Sequence, residues 1–159
     1  MTAFASPPVS VHVAAPRAIA AVRARIAISR VPSMFREYLD QVYAAARAGA
    51  VQLDGQNIFV YRVVAGADNE ADIEFGVGVK SAFSPVGAVR YSELPTGEVA
   101  TAVHWGDYAR LGEAHDAVIA WCRANGRTLT GTRWEVYGHW NDDPARRRTD
   151  VYYLLQRPA

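Results

Sequence analysis

The residues of this chain that could do chemistry are carboxylates set among aromatic rings, and their densest setting is Thr132–Leu155, TRWEVYGHWNDDPARRRTDVYYLL. Two runs rich in aromatic and β-branched residues flank the polar connection Asn141-Asp142-Asp143-Pro144, which predicts a β-hairpin with a longer loop. Side chains alternate faces along a strand. On the first strand Glu135, Tyr137 and His139 share one face, and Trp134, Val136 and Trp140 share the other. On the second, Asp150, Tyr152 and Leu154 lie opposite Val151, Tyr153 and Leu155. A hairpin serving only a core would carry aliphatics inside and solvated charge outside. Here both faces are aromatic, and a carboxylate sits among the rings. An apolar wall with one or two fixed polar groups is how small-molecule pockets are built. A sheet buried on both sides with a surface aspartate gives the same pattern, and both readings stand at this point.

Other chemistries find little support. His12, His104, His115 and His139 share no metal-ligand spacing, and Cys122 is the single cysteine, so neither a zinc site nor any other cofactor is expected. No glycine-rich phosphate loop, recognisable Ser-His-Asp arrangement or cysteine-nucleophile signature is present. One cysteine excludes an internal disulfide and fits a reducing compartment, the cytoplasm. Cys122 falls in a helical pattern, where core packing is its expected role. A formal net charge of +1 offers no footprint for nucleic acid or a membrane surface. Arg146-Arg147-Arg148 follows two aspartates and reads as a solvated turn. There is no long apolar span and no signal-peptide pattern. At 159 residues, half of them hydrophobic, the chain suits one domain, residues 1–159, with a sizeable core. Met1–Ser10 is small, polar and proline-containing, a loose lead-in.

The elements that must position the hairpin come in two similar sets. Val22, Ala24 and Ile26 alternate with Arg23 and Arg25 in a strand over Ala18–Ala27. Pro32 suits the first turn of a helix whose stripe is Phe35, Tyr38, Leu39, Val42 and Ala46, with Gly49 as its stop. Strands Asn57–Val64 and Asp72–Val79 follow, separated by a polar loop Ala65–Ala71. An extra strand Val86–Leu94 and the turn Pro95-Thr96-Gly97 lead, as a hairpin, into strand Glu98–Trp105. Gly106-Asp107 opens a second helix with the stripe Leu111, Ala114, Val118, Trp121 and Cys122, ended by Asn125-Gly126. The aromatic hairpin closes the set.

Each set is β-α-β-β, the first over about residues 11–80 and the second over about 86–157. Ile58-Phe59-Val60-Tyr61 matches Trp134-Glu135-Val136-Tyr137, and Asp72 matches Asp150. The predicted fold is α+β: two pseudo-symmetric repeats, an antiparallel sheet with two helices, and a cleft between the repeats.

In this order the motifs resemble the GyrI-like small-molecule-binding domain family, which is related to effector-binding domains of AraC- and MerR-type multidrug regulators. His104-Trp105-Gly106-Asp107-Tyr108 is similar to the family's strand-to-helix junction, and Trp134-Glu135-Val136-Tyr137 to its third strand. Asp142-Asp143-Pro144 and Arg148-Thr149-Asp150-Val151-Tyr152 resemble its Asp-Pro turn and last strand. Asp72–Val79 resembles the first-repeat counterpart, and the likeness spans Ala18–Gln156.

The resemblance implies a concave aromatic pocket for bulky lipophilic, often cationic, molecules. It also implies an acidic residue from the last strand, by position Asp150, where the family's usual residue is glutamate. Together with strand parity it gives a pocket lined by Tyr61, Glu74, Trp105, Tyr108, Tyr137, Asp150 and Tyr152. An Asp150 paired with an arginine would be structural instead. No helix-turn-helix accompanies the repeats, so the expected activity is that of a stand-alone binder that senses or sequesters a hydrophobic cation. It would have no nucleic-acid or membrane partner of its own, and no protein partner is indicated. The alternative is a hydrolase of strained, cyclopropanoid-type electrophiles, with Glu74 and Tyr137 or Asp150 and Tyr108 as the reacting pairs.

Overall fold

The computed structural model describes residues 6–157. The described residues form two compact units, residues 15–95 and residues 6–14 together with 96–157. The described residues hold eight strands and two long helices: β1 Ser10–Ala14, β2 Ala18–Ala27, α1 Val31–Arg47, β3 Leu53–Val64, β4 Ala67–Val79, β5 Val89–Glu93, β6 Gly97–Trp105, α2 Gly112–Ala124, β7 Leu129–Tyr137 and β8 Arg148–Leu155. The fold is α+β, and both β-α-β-β repeats are present.

In residues 15–95 the strands lie in the order β3-β4-β2-β5. All pairings are antiparallel. α1 packs on the face that carries Phe59 and Phe75. Tyr38 stacks on Phe75 with ring centroids 4.9 Å apart, and Phe59 meets Phe75 edge-on at 5.1 Å. Pro32 occupies the first turn of α1 as expected, and Leu39, Val42 and Ala45 are its buried stripe. The chain leaves the helix through Gly49 at φ 82°, a left-handed conformation that glycine adopts without a Cβ clash.

In the other unit the order is β1-β6-β8-β7, again antiparallel throughout. Ala114, Val118 and Cys122 of α2 pack on Ala100, Ala102, Val151 and Leu155. Read from the strand after the helix, both orders run second, third and first strand of the repeat and then an added edge strand. The edge strand follows the first repeat, as β5, but precedes the second, as β1.

Several expectations need correction. Of the expected lead-in Met1–Ser10, Ser10 already belongs to β1, and residues 10–14 pair with β6. The first five residues of that lead-in lie outside the described residues. Pro95-Thr96-Gly97 closes no hairpin: β5 pairs with β2, while β6 pairs with β1 and β8. The polar loop over 65–71 shrinks to a tight turn at Ala65-Gly66, with β4 starting at Ala67. Asp107 does not open α2. Its carboxylate accepts the Ala109 N–H and caps a short 3-10 turn, Tyr108–Arg110, before α2 begins at Gly112.

The internal match also shifts. Tyr61 pairs with Ile73, and Tyr137 pairs with Thr149. With Tyr61 and Tyr137 equivalent, register makes Glu74, not Asp72, the counterpart of Asp150. A slip of two residues preserves the face of every side chain, so strand parity could not detect it.

Candidate functional site

The seven expected lining residues divide between opposite faces of their sheets. In the second unit, Tyr137 lies on the α2-facing side of β7. Tyr108, in the turn ahead of α2, meets its ring edge-on at 5.8 Å. Those two are brought together. Asp150 and Tyr152 lie on the other face of β8. There the Arg148 guanidinium holds the Asp150 carboxylate at 2.7 and 3.1 Å, and Tyr152 stacks on Trp134 with centroids 5.5 Å apart. Trp105 shares that face and is well exposed, with the Arg148 guanidinium over its ring at 5.6 Å. In residues 15–95, Tyr61 is buried on the α1-facing side of β3. Glu74 points the other way and takes a 2.5 Å hydrogen bond from Arg62.

The carboxylate that meets a tyrosine on the α2-facing wall is Glu135. It is 5% exposed. The Tyr137 hydroxyl donates to its Oε1 at 2.8 Å, and His115 Nε2 lies 2.7 Å from its Oε2. An ionised carboxylate only accepts, so that imidazole nitrogen carries the proton and donates. The other nitrogen, Nδ1, is 2.6 Å from the Tyr153 hydroxyl. Helix α2 thus supplies His115 beside its apolar stripe, β7 supplies Glu135 and Tyr137 two residues apart, and β8 supplies Tyr153.

Register explains why this group is not simply a repeat feature. Position 135 corresponds to Phe59 of β3, which belongs to an all-aromatic cluster under α1. One repeat fills the position with an apolar ring and the other with a charge. A buried carboxylate is costly without partners, and here two side chains, His115 and Tyr137, hydrogen-bond it.

The environment sets the protonation states. Burial pushes the Glu135 carboxyl up, but the hydrogen bond and charge of His115, the Tyr137 hydroxyl and Arg133 outweigh it, so the group is held below its ordinary range. Tyr153 is pushed up to about 12, chiefly by burial, with Arg133 opposing and Glu135 and Asp116 reinforcing the rise. It therefore remains a neutral phenol that can either donate to or accept from His115. A raised folded-state value is a stability contribution that is full below the ordinary phenol range near 10 and lost as pH rises toward 12. Replacing Tyr153 with phenylalanine should remove one late step from the phenolate absorbance titration. An unchanged late phase would place this hydroxyl in water.

Aromatic groups lead outward from Glu135. Tyr108 touches Tyr137, and Trp140 lies 6.3 Å from Tyr108. Trp140 is 64% exposed, with the Arg147 guanidinium 3.7 Å above its ring. Gly106, at φ 123°, turns the chain between β6 and the Tyr108 turn, and its N–H is tied to the Arg147 carbonyl at 2.8 Å. The junction motif and the hairpin loop are therefore physically joined.

A separate surface hollow of about 390 Å³ runs along α2 between Ser6-Pro7 and Arg110, Glu113, Asp116, Ala117 and Ala120. None of the Glu135 group lines it, and Arg110 is already held by Glu113 at 2.9–3.0 Å. Size alone does not make it the functional site. Among the described residues no set of three or more His, Cys, Asp and Glu side chains could hold a metal ion, and no helix is long and apolar enough to cross a membrane.

Sequence reasoning named Glu135 as a facing carboxylate but did not carry it into the site, and it treated His115 only as a metal donor. The usable signal was the Glu-x-Tyr alternation on one strand face.

The chain resembles solved structures over almost its whole length. The C-terminal domain of EcmrR superposes with a TM-score of 0.77 at 19% identity, covering 96% of this chain and 99% of that one. SAV2435, solved bound to tetraphenylphosphonium, gives 0.68 at 8% identity, with 94% of each chain covered. A hydrolase encoded by lin2189 from Listeria innocua gives 0.58 at 11% identity, covering 96% of this chain and 95% of that one. At such identities the likeness establishes the fold. No curated protein sequence matches the chain. The profile of the GyrI-like small molecule binding domain matches residues 7–156, which takes in both repeats, the Gly106 junction and the Glu135 wall. With the paired β-α-β-β topology already in place, that match settles the family: this chain belongs to the GyrI-like small molecule binding domains.

Proposed function

We propose that the protein binds a bulky, lipophilic, cationic small molecule at the α2-facing wall of its second repeat, and so senses or sequesters it. The observation that carries this reading is Glu135, a buried carboxylate at the inner end of the Tyr137, Tyr108 and Trp140 rings. Ring faces attract a desolvated cation by roughly 0.5–2 kcal/mol each. A carboxylate in surroundings of lower dielectric than water adds a directional term. That one fold neighbour was solved with tetraphenylphosphonium makes that cation a sensible first probe.

Isothermal titration with tetraphenylphosphonium and the neutral triphenylphosphine oxide tests it. Glu135→Gln should weaken the cation by about 1–3 kcal/mol, the scale of a lost charge-assisted hydrogen bond, and leave the neutral compound nearly unchanged. Asp150→Asn should matter little to either, because Arg148 already holds that carboxylate. The reverse ranking would move the site to the other face of β8, with Asp150, Tyr152 and Trp105 as its lining.

A second reading rests on the same contact. Hydrolysis of a strained electrophile needs a carboxylate to place water and a hydroxyl to protonate the leaving atom, converging within hydrogen-bond reach. Glu135 and the Tyr137 hydroxyl converge at 2.8 Å, with His115 orienting the carboxylate from the other side. If this reading holds, Tyr137→Phe keeps binding of a cyclopropanoid substrate but stops product formation. Unchanged turnover in that variant, or none in the wild type, removes it.

A further inference from the structure

His115 is held in a way that tolerates a change of charge without a change of place. Nε2 donates to Glu135 Oε2 at 2.7 Å in either state, while Nδ1 faces the Tyr153 hydroxyl at 2.6 Å. A phenol oxygen can donate to a neutral imidazole or accept from an imidazolium simply by turning its O–H. An imidazole can gain or lose one proton and stay hydrogen-bonded at both ring nitrogens.

The charged and titratable groups around it come from every packed element. β7 presents Arg133, Glu135 and Tyr137, and β8 presents Tyr153. On α2 the next residue is Asp116. The α2-facing side of β6 carries His104, tied to the Asp107 carbonyl at 2.8 Å, and Glu98, paired with Arg127. Of the carboxylates, Glu135 is the one bonded to the ring.

We propose that the site exchanges the His115 proton for its cationic ligand, so that cation binding is coupled to proton release and strengthens as pH rises. This rests on the binding reading above. With His115 charged, Glu135 is already neutralised, and an entering cation meets a like charge one carboxylate away. When the ring gives up Nδ1–H to solvent, the Tyr153 hydroxyl turns to donate to it, the Nε2–H contact survives, and Glu135 presents its full charge to the ligand. One proton leaves for each positive charge that enters. A neutral ligand has no such coupling, so His115 sets the site's preference between charged and uncharged compounds as a function of pH.

Calorimetric titration of tetraphenylphosphonium in two buffers of different ionisation enthalpy, at matched pH, counts the protons directly. The expected result is close to one proton released per cation in the acid range and none in the alkaline range. Affinity should rise about tenfold per pH unit while the ring is protonated in the free protein. Triphenylphosphine oxide should show neither effect. His115→Gln, which keeps a hydrogen-bonding side chain but cannot titrate, should bind the cation equally at both ends of the range. Cation binding with no proton release in the wild type overturns the proposal, as does an undiminished pH slope in His115→Gln. If that variant does not fold, the wild-type proton count still decides. If neither probe binds at any pH, the site reading itself fails, and this inference with it.

Discussion

Trp134→Ala should cost about 3–5 kcal/mol of folding stability, the range for removing a buried tryptophan from a packed core. Trp134 is 2% exposed, and its ring stacks on Tyr152 with an interplanar angle of 11°. Two terms add. The free energy gained by removing the ring's apolar surface from water on folding is lost, and a void remains beside Tyr152 that neighbouring strands cannot close. β7 is held between Val136 on the same face and Glu135 and Tyr137 on the other, each with its own partners, so the backbone has little freedom to collapse inward. The matched change Trp140→Ala should lower stability by less than about 1 kcal/mol, because that ring is mostly in solvent and loses chiefly its stack with Arg147. Urea midpoints with unchanged m-values would show the contrast. Equal losses for both tryptophans would mean that the loop ring is structural, and the outward path of aromatics from Glu135 would lose its functional meaning. If Trp140 belongs to the ligand wall, its removal should instead weaken tetraphenylphosphonium.

How much of this was legible in the sequence follows from the range of each interaction. The helices were readable because Leu39 and Val42, or Ala114, Val118 and Cys122, recur at helical spacing within one element. The strand faces of β7 and β8 were readable because alternation is local. What failed depended on partners far along the chain. β1 is a short edge strand, Ser10–Ala14, in which Val11 and Val13 alternate with Ser10 and His12 over only five mostly exposed residues, and only its pairing with β6 makes it a strand. β5 runs toward a turn-like Pro-Thr-Gly, yet its register is with β2, beginning at Ala18 against Glu93.

The site obeys the same rule. Glu135 and Tyr137 are neighbours on one strand, so their pairing was within reach of parity. His115 joins Glu135 across 20 residues and Tyr153 across 38, and no local pattern announces a histidine beside an apolar stripe as the partner of a strand carboxylate. Asp150 was expected in the pocket from its position in the family's last strand. Its actual partner, Arg148, stands two residues away on the same face, which alternation alone would have allowed.

Glu135→Ala should destabilise the protein by about 2–4 kcal/mol at neutral pH, more than a surface ion pair could account for. Truncation strands three polar groups at once. His115 loses the acceptor for Nε2, Tyr137 loses the acceptor for its hydroxyl, and Arg133 loses a nearby countercharge. Glu135→Gln should cost less, since an amide oxygen can still accept one of those bonds.

The pH dependence separates charge from packing. The folded carboxyl is held below its ordinary value, so the unfolded chain takes up the proton first on acidification. The stability it supplies is therefore present above the unfolded glutamate value, about 4.3, and is lost as pH falls through the lower folded value. The wild type should consequently lose stability over that acid window, whereas Glu135→Ala should show a shallower acid limb because the linked proton is gone. The gap between the two proteins should narrow as pH falls. A constant gap at every pH would mean that Glu135 contributes by shape alone. In that case neither cation recognition nor proton exchange at His115 could draw on its charge, and the polar wall of β7 would be a packing variant of the Phe59 cluster in the other repeat.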